Sequence, residues 1–399
     1  MLNYPNAITT IGLAHTRHGD RSFGIRQADR LHHCYLIGQT GTGKSTLLAT
    51  MAEQDARCGR GFCLIDPHGD MAESLSQRLS VPHTYWDVAD PSSTYGYNPL
   101  AHVPRSLRPL VASGFIDTLR QQWANSWGAR MEHMLRYAVL ALLDQPQADL
   151  RDVIRLYVDK DFRREVVARV EDEQVRAFWT VEFAKLNYLT TVDGLPPIAN
   201  KLGAFLANPV VRNAVCQPAT PLRFRRTMDE GGIVIINLAK GRLGADIANV
   251  LGGLLISSLM NAAFSRSQTS EAERRPFFLY VDEFHNFTTA VFAGMLAEAR
   301  KYGLGAILSH QHTSQTDAAV FETILGNVGT ILSLRIGVKD APLIAKQFGE
   351  IAPYNFTNLP NYRGYAQLLV DGRKLPTFSF QTIPGPSNYS SANHHQKYA

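Results

Sequence analysis

Six short apolar runs punctuate the chain, each closed by a polar residue or glycine: Cys34–Ile37, 62–65, 233–238, Phe277–Val281, 306–308 and 330–336. Most are continuous rather than alternating, the pattern of strands buried on both faces of a parallel sheet. Helical stretches separate them, among them 71–79, 247–264 and 290–302. This alternation predicts a doubly wound α/β domain. Between residues 104 and 226 the strand-like runs fade, and helix-like segments at 131–143, 151–157 and 162–182 take over. The pattern therefore predicts an α/β domain over 1–103 and 227–383, with an all-α domain inserted at 104–226. The last stretch, 384–399, is rich in Pro, Ser, Asn and His and reads as a disordered tail. No internal repeat is visible.

The longest apolar stretch, 250–264, is broken by Ser257, Ser258 and Asn261. It is shorter than the roughly 20 residues of a membrane span, so a buried helix is expected. The first residues carry Asn, Tyr and Pro rather than a basic-then-apolar leader. A soluble, cytoplasmic protein with no direct membrane span is the resulting expectation.

At 399 residues, 45% hydrophobic and 19% charged, the chain has a globular composition and room for two domains. The net charge of +5 permits a polyanionic partner without demanding one. Residues 105–226 hold 18 basic and 13 acidic side chains, an excess as large as that of the whole chain. An ordinary solvated helical surface and a face for a polyanion explain it equally well. The four cysteines (Cys34, Cys58, Cys63, Cys216) fit neither a zinc spacing nor a disulfide framework. Cys34 and Cys63 sit in apolar runs and read as core residues of a reducing compartment.

The chemistry is concentrated after the first apolar run. Gly38-Gln39-Thr40-Gly41-Thr42-Gly43-Lys44-Ser45 matches GxxxxGK[ST], and Thr46 opens a helix-like stretch. This strand–loop–helix setting is what a phosphate-binding loop requires. Its backbone N–H groups turn toward phosphate oxygens, aided by the helix N-terminus. Lys44 is expected to reach the β- and γ-phosphates and Ser45 to hold Mg²⁺.

The run Phe277–Val281 ends in Asp282-Glu283, the Walker B pattern. Asp282 would complete the Mg²⁺ shell, and Glu283 would polarise the attacking water as general base. Downstream, the run 306–308 leads through Ser309 and His310 to Gln311, whose amide can donate and accept at once and could contact the γ-phosphate or the lytic water. On the helix before that run, Val291, Phe292, Met295, Leu296, Ala299 and Tyr302 share one face, with Arg300 just beyond its edge. Arg300 is a candidate arginine finger for a neighbouring subunit, and Arg335 competes for the role. Asp66, at the end of the second run, borders the ligand crevice as an outer partner of the metal site or a cap, with Asp70 the favoured cap of the following helix. Asn200-Lys201-Leu202-Gly203 lacks the Asp of a guanine-reading element, which favours ATP.

Several segments together carry a family resemblance. The phosphate-loop run 36–46, followed by Ile65-Asp66-Pro67-His68-Gly69-Asp70, resembles the HerA/FtsK class of hexameric DNA motors. Tyr97-Asn98-Pro99-Leu100, Asn237-Leu238-Ala239-Lys240-Gly241, Val281-Asp282-Glu283-Phe284, Glu298-Ala299-Arg300-Lys301-Tyr302-Gly303 and Gly326-Asn327-Val328-Gly329-Thr330 resemble the TraG/TraD/TrwB branch of type IV coupling proteins. The resemblance runs from about residue 25 to 380. It implies a RecA-like P-loop motor domain carrying an all-α domain, assembled as a homo-hexamer around DNA. It also implies ATP and Mg²⁺ as ligands, and supports the roles given to Lys44, Ser45, Asp282, Glu283, Gln311 and a trans-acting Arg300. Coupling proteins usually begin with a pair of membrane-spanning helices, which this sequence does not show.

The expected function is an ATP-hydrolysing DNA translocase of conjugative transfer, working with type IV secretion or relaxosome components. Two alternatives compete with it: a motor for protein cargo, and a nucleotide-gated scaffold for a nuclease partner in repair or defence. Lys240 and Arg242, just past a strand, are candidate grips on a DNA backbone.

Overall fold

The computed structural model describes residues 7–101, 103–185 and 195–383. The tail beyond Ile383 lies outside the described residues. All six apolar runs form strands of a single sheet. Its strands are β1 (Ile8–Thr16), β2 (Gly19–Arg26), β3 (Cys34–Ile37), β4 (Gly61–Asp66), β5 (Thr84–Asp87), β6 (Ile233–Asn237), β7 (Phe277–Val281), β8 (Leu304–His310), β9 (Thr330–Ser333), β10 (Arg363–Gln367) and β11 (Phe378–Thr382). The spatial order is β2-β1-β11-β10-β9-β3-β8-β7-β4-β6-β5.

The central strands pair in parallel and in register. Ile37 lies opposite His310, Leu308 opposite Val281, and Val281 opposite Ile65. Their carboxyl ends therefore meet along one edge, the side where open α/β sheets bind ligands. These strands are buried from end to end, which is why they read as continuous apolar runs. The flank made by β10, β11, β1 and β2 is antiparallel, and it joins the parallel strands at β9, which pairs in parallel with β3 and antiparallel with β10. Its strands mix exposed and buried positions (β10 runs exposed, buried, half-buried, buried), so they left no continuous apolar run to detect.

The chain divides into two compact units: residues 1–85, 225–237 and 266–399, and residues 86–224 and 238–265. In the first, α1 (Lys44–Arg57) packs on β1 and β4, and α2 (Asp70–Arg78) follows β4. A buried ion pair pins this layer: Arg30 gives two bonds to Asp55, at 2.6 and 2.8 Å, and neither side chain is exposed. Tyr280 of β7 donates to the same carboxylate at 2.5 Å, and Arg60 at 2.6 Å.

The second unit is mainly helical. It includes α3 (Arg108–Gln122), α4 (Ala129–Leu143) and α5 (Ala245–Phe264), with α5 packed along α3. The helix expected over 162–182 is two helices and a π turn. Asp172 accepts from Gln174 N and Val175 N, which restarts the helix after Val170. By length and composition α5 could cross a membrane, but 67% of its apolar window is buried.

Candidate nucleotide site

The first unit gathers the predicted motifs at the carboxyl edge of β3, β8, β7 and β4. Gly43 caps α1 at φ +108, and Gly41 stands at φ +76. A side chain is strained at either angle, and this left-handed bend points the loop amides toward one spot. Lys44 is buried, with its Nζ 3.5 Å from the Gln39 carbonyl. Burial holds its pKa below the ordinary lysine value, while the Glu283 and Asp282 carboxylates oppose that shift.

Ser45 Oγ donates to Asp282 Oδ2 at 3.1 Å, so the two proposed metal ligands stand side by side. The other Asp282 oxygen accepts from Ser309 Oγ. A hydroxyl beside a carboxylate is the hard oxygen set that Mg²⁺ prefers, and Ser309 fixes the carboxylate's orientation as outer partners of metal ligands do. These residues fit the ion.

Glu283 is 4% exposed and sits at φ +48, a left-handed angle that is costly for a residue with a Cβ. The angle turns its carboxylate away from the line of β7. Gln311 Nε2 donates to Glu283 Oε1 at 2.6 Å, and Thr40 Oγ1 of the phosphate loop donates to Gln311 Oε1 at 2.7 Å. The glutamine amide thus joins the expected base to the loop. The second carboxylate oxygen, Oε2, is buried and makes no hydrogen bond among the described residues. Burial, then the Asp282 charge, pushes the Glu283 carboxyl above its ordinary pKa, while Gln311 and Lys44 pull it back. A raised pKa in a cleft strengthens a carboxylate as a base.

Thr40, Lys44, Ser45, Thr46, Asp66, Asp282, Glu283 and Gln311 line one cavity of about 500 Å³, together with His68, Met71 and Tyr362. The helix cap expected of Asp70 is supplied otherwise. Gly69 occupies the cap position, and Asp66 accepts from His68 N at 2.9 Å and Ala72 N at 3.0 Å. Those bonds occupy Asp66 with the backbone while it still lines the cavity.

Arg300 is not brought to this cavity. It precedes β8, at the opposite end of that strand from Gln311, and its guanidinium meets His32 Nδ1 at 2.9 Å. Arg335 lies against the phosphate loop through its backbone, accepting from Gln39 N at 2.8 Å, and its side chain donates to the Leu359 carbonyl. Arg242 pairs with Asp87.

Three site residues escaped the sequence reading. Ser309 carried a usable signal, a hydroxyl next to the last residue of a buried strand, two residues before Gln311. Asp340 accepts from both the amide and the hydroxyl of Thr313, at 2.9 and 2.7 Å, and so anchors the loop that bears Gln311. Neither Asp340 nor Tyr362 belongs to any recognisable pattern.

No protein-family model matches the sequence, and no curated protein matches it. Solved structures do. The bacterial conjugative coupling protein TrwB, as the unbound ΔN70 form, superposes with a TM-score of 0.65 at 17% identity, over 90% of this chain and 87% of that one. TrwB in complex with ADP and Mg²⁺ gives the same TM-score, identity and coverage. VirB4 of Thermoanaerobacter pseudethanolicus gives 0.66 at 15% identity, over 97% of this chain and 100% of that one. The chain has the RecA-like P-loop ATPase fold that TrwB and VirB4 share.

Proposed function

We propose that this protein is an ATP-hydrolysing ring motor that binds and translocates DNA, as in conjugative transfer through a type IV secretion system. The observation that carries the reading is the triad Thr40–Gln311–Glu283. It places a buried, raised-pKa carboxylate beside a phosphate loop, an arrangement that nucleotide binding alone does not require. TrwB structures with ADP and Mg²⁺, and with a non-hydrolysable ATP analogue, support ATP and Mg²⁺ as the ligands.

In this mechanism the loop amides and Lys44 hold the β- and γ-phosphates of ATP, and Ser45 and Asp282 are the residues that would hold Mg²⁺. The ion would neutralise charge on the β- and γ-oxygens. Glu283 takes the proton of a water whose oxygen attacks the γ-phosphorus. The bond from that phosphorus to the β–γ bridging oxygen breaks, leaving ADP and phosphate. Gln311 holds Glu283 in place and, through Thr40, responds to the state of the loop. Because Arg300 lies away from its own cavity, it would act only on the γ-phosphate of a neighbouring copy, which fits a homo-hexamer. Lys240 and Arg242 remain the proposed grips, with Arg242 exchanging Asp87 for a DNA phosphate. The protein would work on the cytoplasmic side, recruited by secretion or relaxosome components.

The test compares ATPase rates with and without DNA, at low and high salt, for wild type and Glu283→Gln. Stimulation by DNA that fades with salt and vanishes in Glu283→Gln is expected. A rate indifferent to DNA removes the translocase reading and leaves a protein-cargo motor or a scaffold.

A further inference from the structure

Tyr362 brings a phenol ring to a cavity lined mostly by polar and charged groups, and its hydroxyl makes no hydrogen bond among the described residues. Its backbone stands at φ +65, left-handed for a bulky aromatic residue, so the surrounding structure holds it at a cost. The holding contacts are visible. Its amide donates to the Thr42 carbonyl of the phosphate loop at 2.9 Å, and its carbonyl accepts from Thr382 N of β11 at 2.8 Å.

The ring lies over Gly43. A Cβ on that glycine would stand 2.6 Å from Tyr362 Cδ1 and 2.9 Å from Cε1. The loop's missing side chain is therefore what lets the ring approach the phosphate-binding backbone. Despite that contact Tyr362 is 38% exposed, and it lines the cavity. Among the described lining residues it supplies the one phenol ring, whereas the Glu283 end of the cavity is polar and charged.

We propose that Tyr362 is the stacking platform for the nucleobase, a binding determinant separate from the phosphate machinery; the proposal rests on the nucleotide reading of this cavity. The phosphates occupy the loop at Gly43 and Lys44, and the base of the same nucleotide lies against the ring. A ring held by two backbone hydrogen bonds is preorganised, so little ordering is lost when the base arrives.

The experiment measures dissociation constants of Mg·ATP and of Mg·tripolyphosphate, which has no base, for wild type, Tyr362→Ala, Tyr362→Phe and Lys44→Ala. Tyr362→Ala is expected to weaken ATP about tenfold and to leave tripolyphosphate unchanged, while Tyr362→Phe keeps wild-type affinity for both. Retained tripolyphosphate binding also shows that the variant is folded. Tyr362→Ala without effect on ATP, or with equal loss of both ligands, overturns the proposal. Lys44→Ala must weaken both ligands. If it weakens neither, the nucleotide reading fails and the stacking proposal with it, whereas a silent Tyr362→Ala beside a disabling Lys44→Ala refutes the stacking alone.

Discussion

Replacing Gln311 with alanine removes two hydrogen bonds of unequal importance: its 2.6 Å donation to Glu283 and the 2.7 Å bond it accepts from Thr40. The first goes to a carboxylate that is 4% exposed, so water replaces it poorly. A hydrogen bond to a charged group contributes about 1.5–3 kcal/mol. If that energy acts on the placement of the base in the transition state, kcat falls about ten- to a hundredfold. ATP affinity should change little, since Gln311 reaches the loop only through the Thr40 hydroxyl. The pH profile separates positioning from general damage. Gln311 is one of the groups pulling the Glu283 pKa down, so its loss raises that pKa further. A base works deprotonated, so the acid limb of kcat moves to higher pH and the deficit shrinks as pH rises. Steady-state ATPase assays across pH, with the dissociation constant of a non-hydrolysable analogue, measure all of this. On a Glu283→Gln background, Gln311→Ala should cost nothing more. A kcat within twofold of wild type, or an equal loss in both backgrounds, refutes the coupling.

The other predictions concern metal affinity and stability. Ser309→Ala leaves Asp282 Oδ1 held by the Glu283 amide without the serine hydroxyl, and the Mg²⁺ concentration for half-maximal ATPase should rise about tenfold, in line with losses of outer partners of metal ligands; an unchanged Mg²⁺ curve contradicts it. Arg30→Ala leaves Asp55 buried with Arg60 and Tyr280 as partners, so urea unfolding should show a loss near 3 kcal/mol, and less than 1 kcal/mol refutes the role given to the pair. His33 is buried and neutral, accepting from Ala306 N at Nδ1 and meeting the Leu296 carbonyl at Nε2, and burial lowers its pKa to about 4. The unfolded chain, with its ordinary value of 6.5, binds that proton first. The stability is therefore fully present above pH 6.5 and is lost as pH falls toward 4. By pH 5 the loss reaches about 2 kcal/mol, and the pH 7.5-to-5 difference in urea stability should shrink by that amount in His33→Gln.

The parallel half of the sheet was legible because burial on both faces writes itself as unbroken apolar runs, and all six were strands. The antiparallel flank was not. In β10, Arg363 and Gln367 bracket the buried Gly364 and Ala366, a pattern too short and too polar to stand out from a loop. Tyr362 shared that fate, since the sequence shows only an aromatic residue in an Asn- and Pro-containing turn. Helix α5 was legible as a buried apolar helix, but periodicity does not say which unit buries it, and it clusters with the helical residues 86–224.

The site divides along the same line. Lys44, Ser45, Asp282 and Glu283 were readable because each stands at a fixed place in a local strand-to-loop pattern. Gln311 was readable only as a polar residue at a strand end, because its contacts with Thr40 and Glu283 depend on strand order. β8 lies between β3, which carries the phosphate loop, and β7, which carries Asp282 and Glu283. A residue just past the end of β8 is therefore the one positioned to touch both neighbours, and an amide is the side chain that can accept from Thr40 while donating to Glu283. The left-handed angle at Glu283 completes the geometry, since an extended residue there would carry the carboxylate along the line of β7. Local sequence supplied the chemical groups, while the non-local order of three strands made them into a coupled unit, so variants that shift β8 against β7 should harm hydrolysis before they harm nucleotide binding.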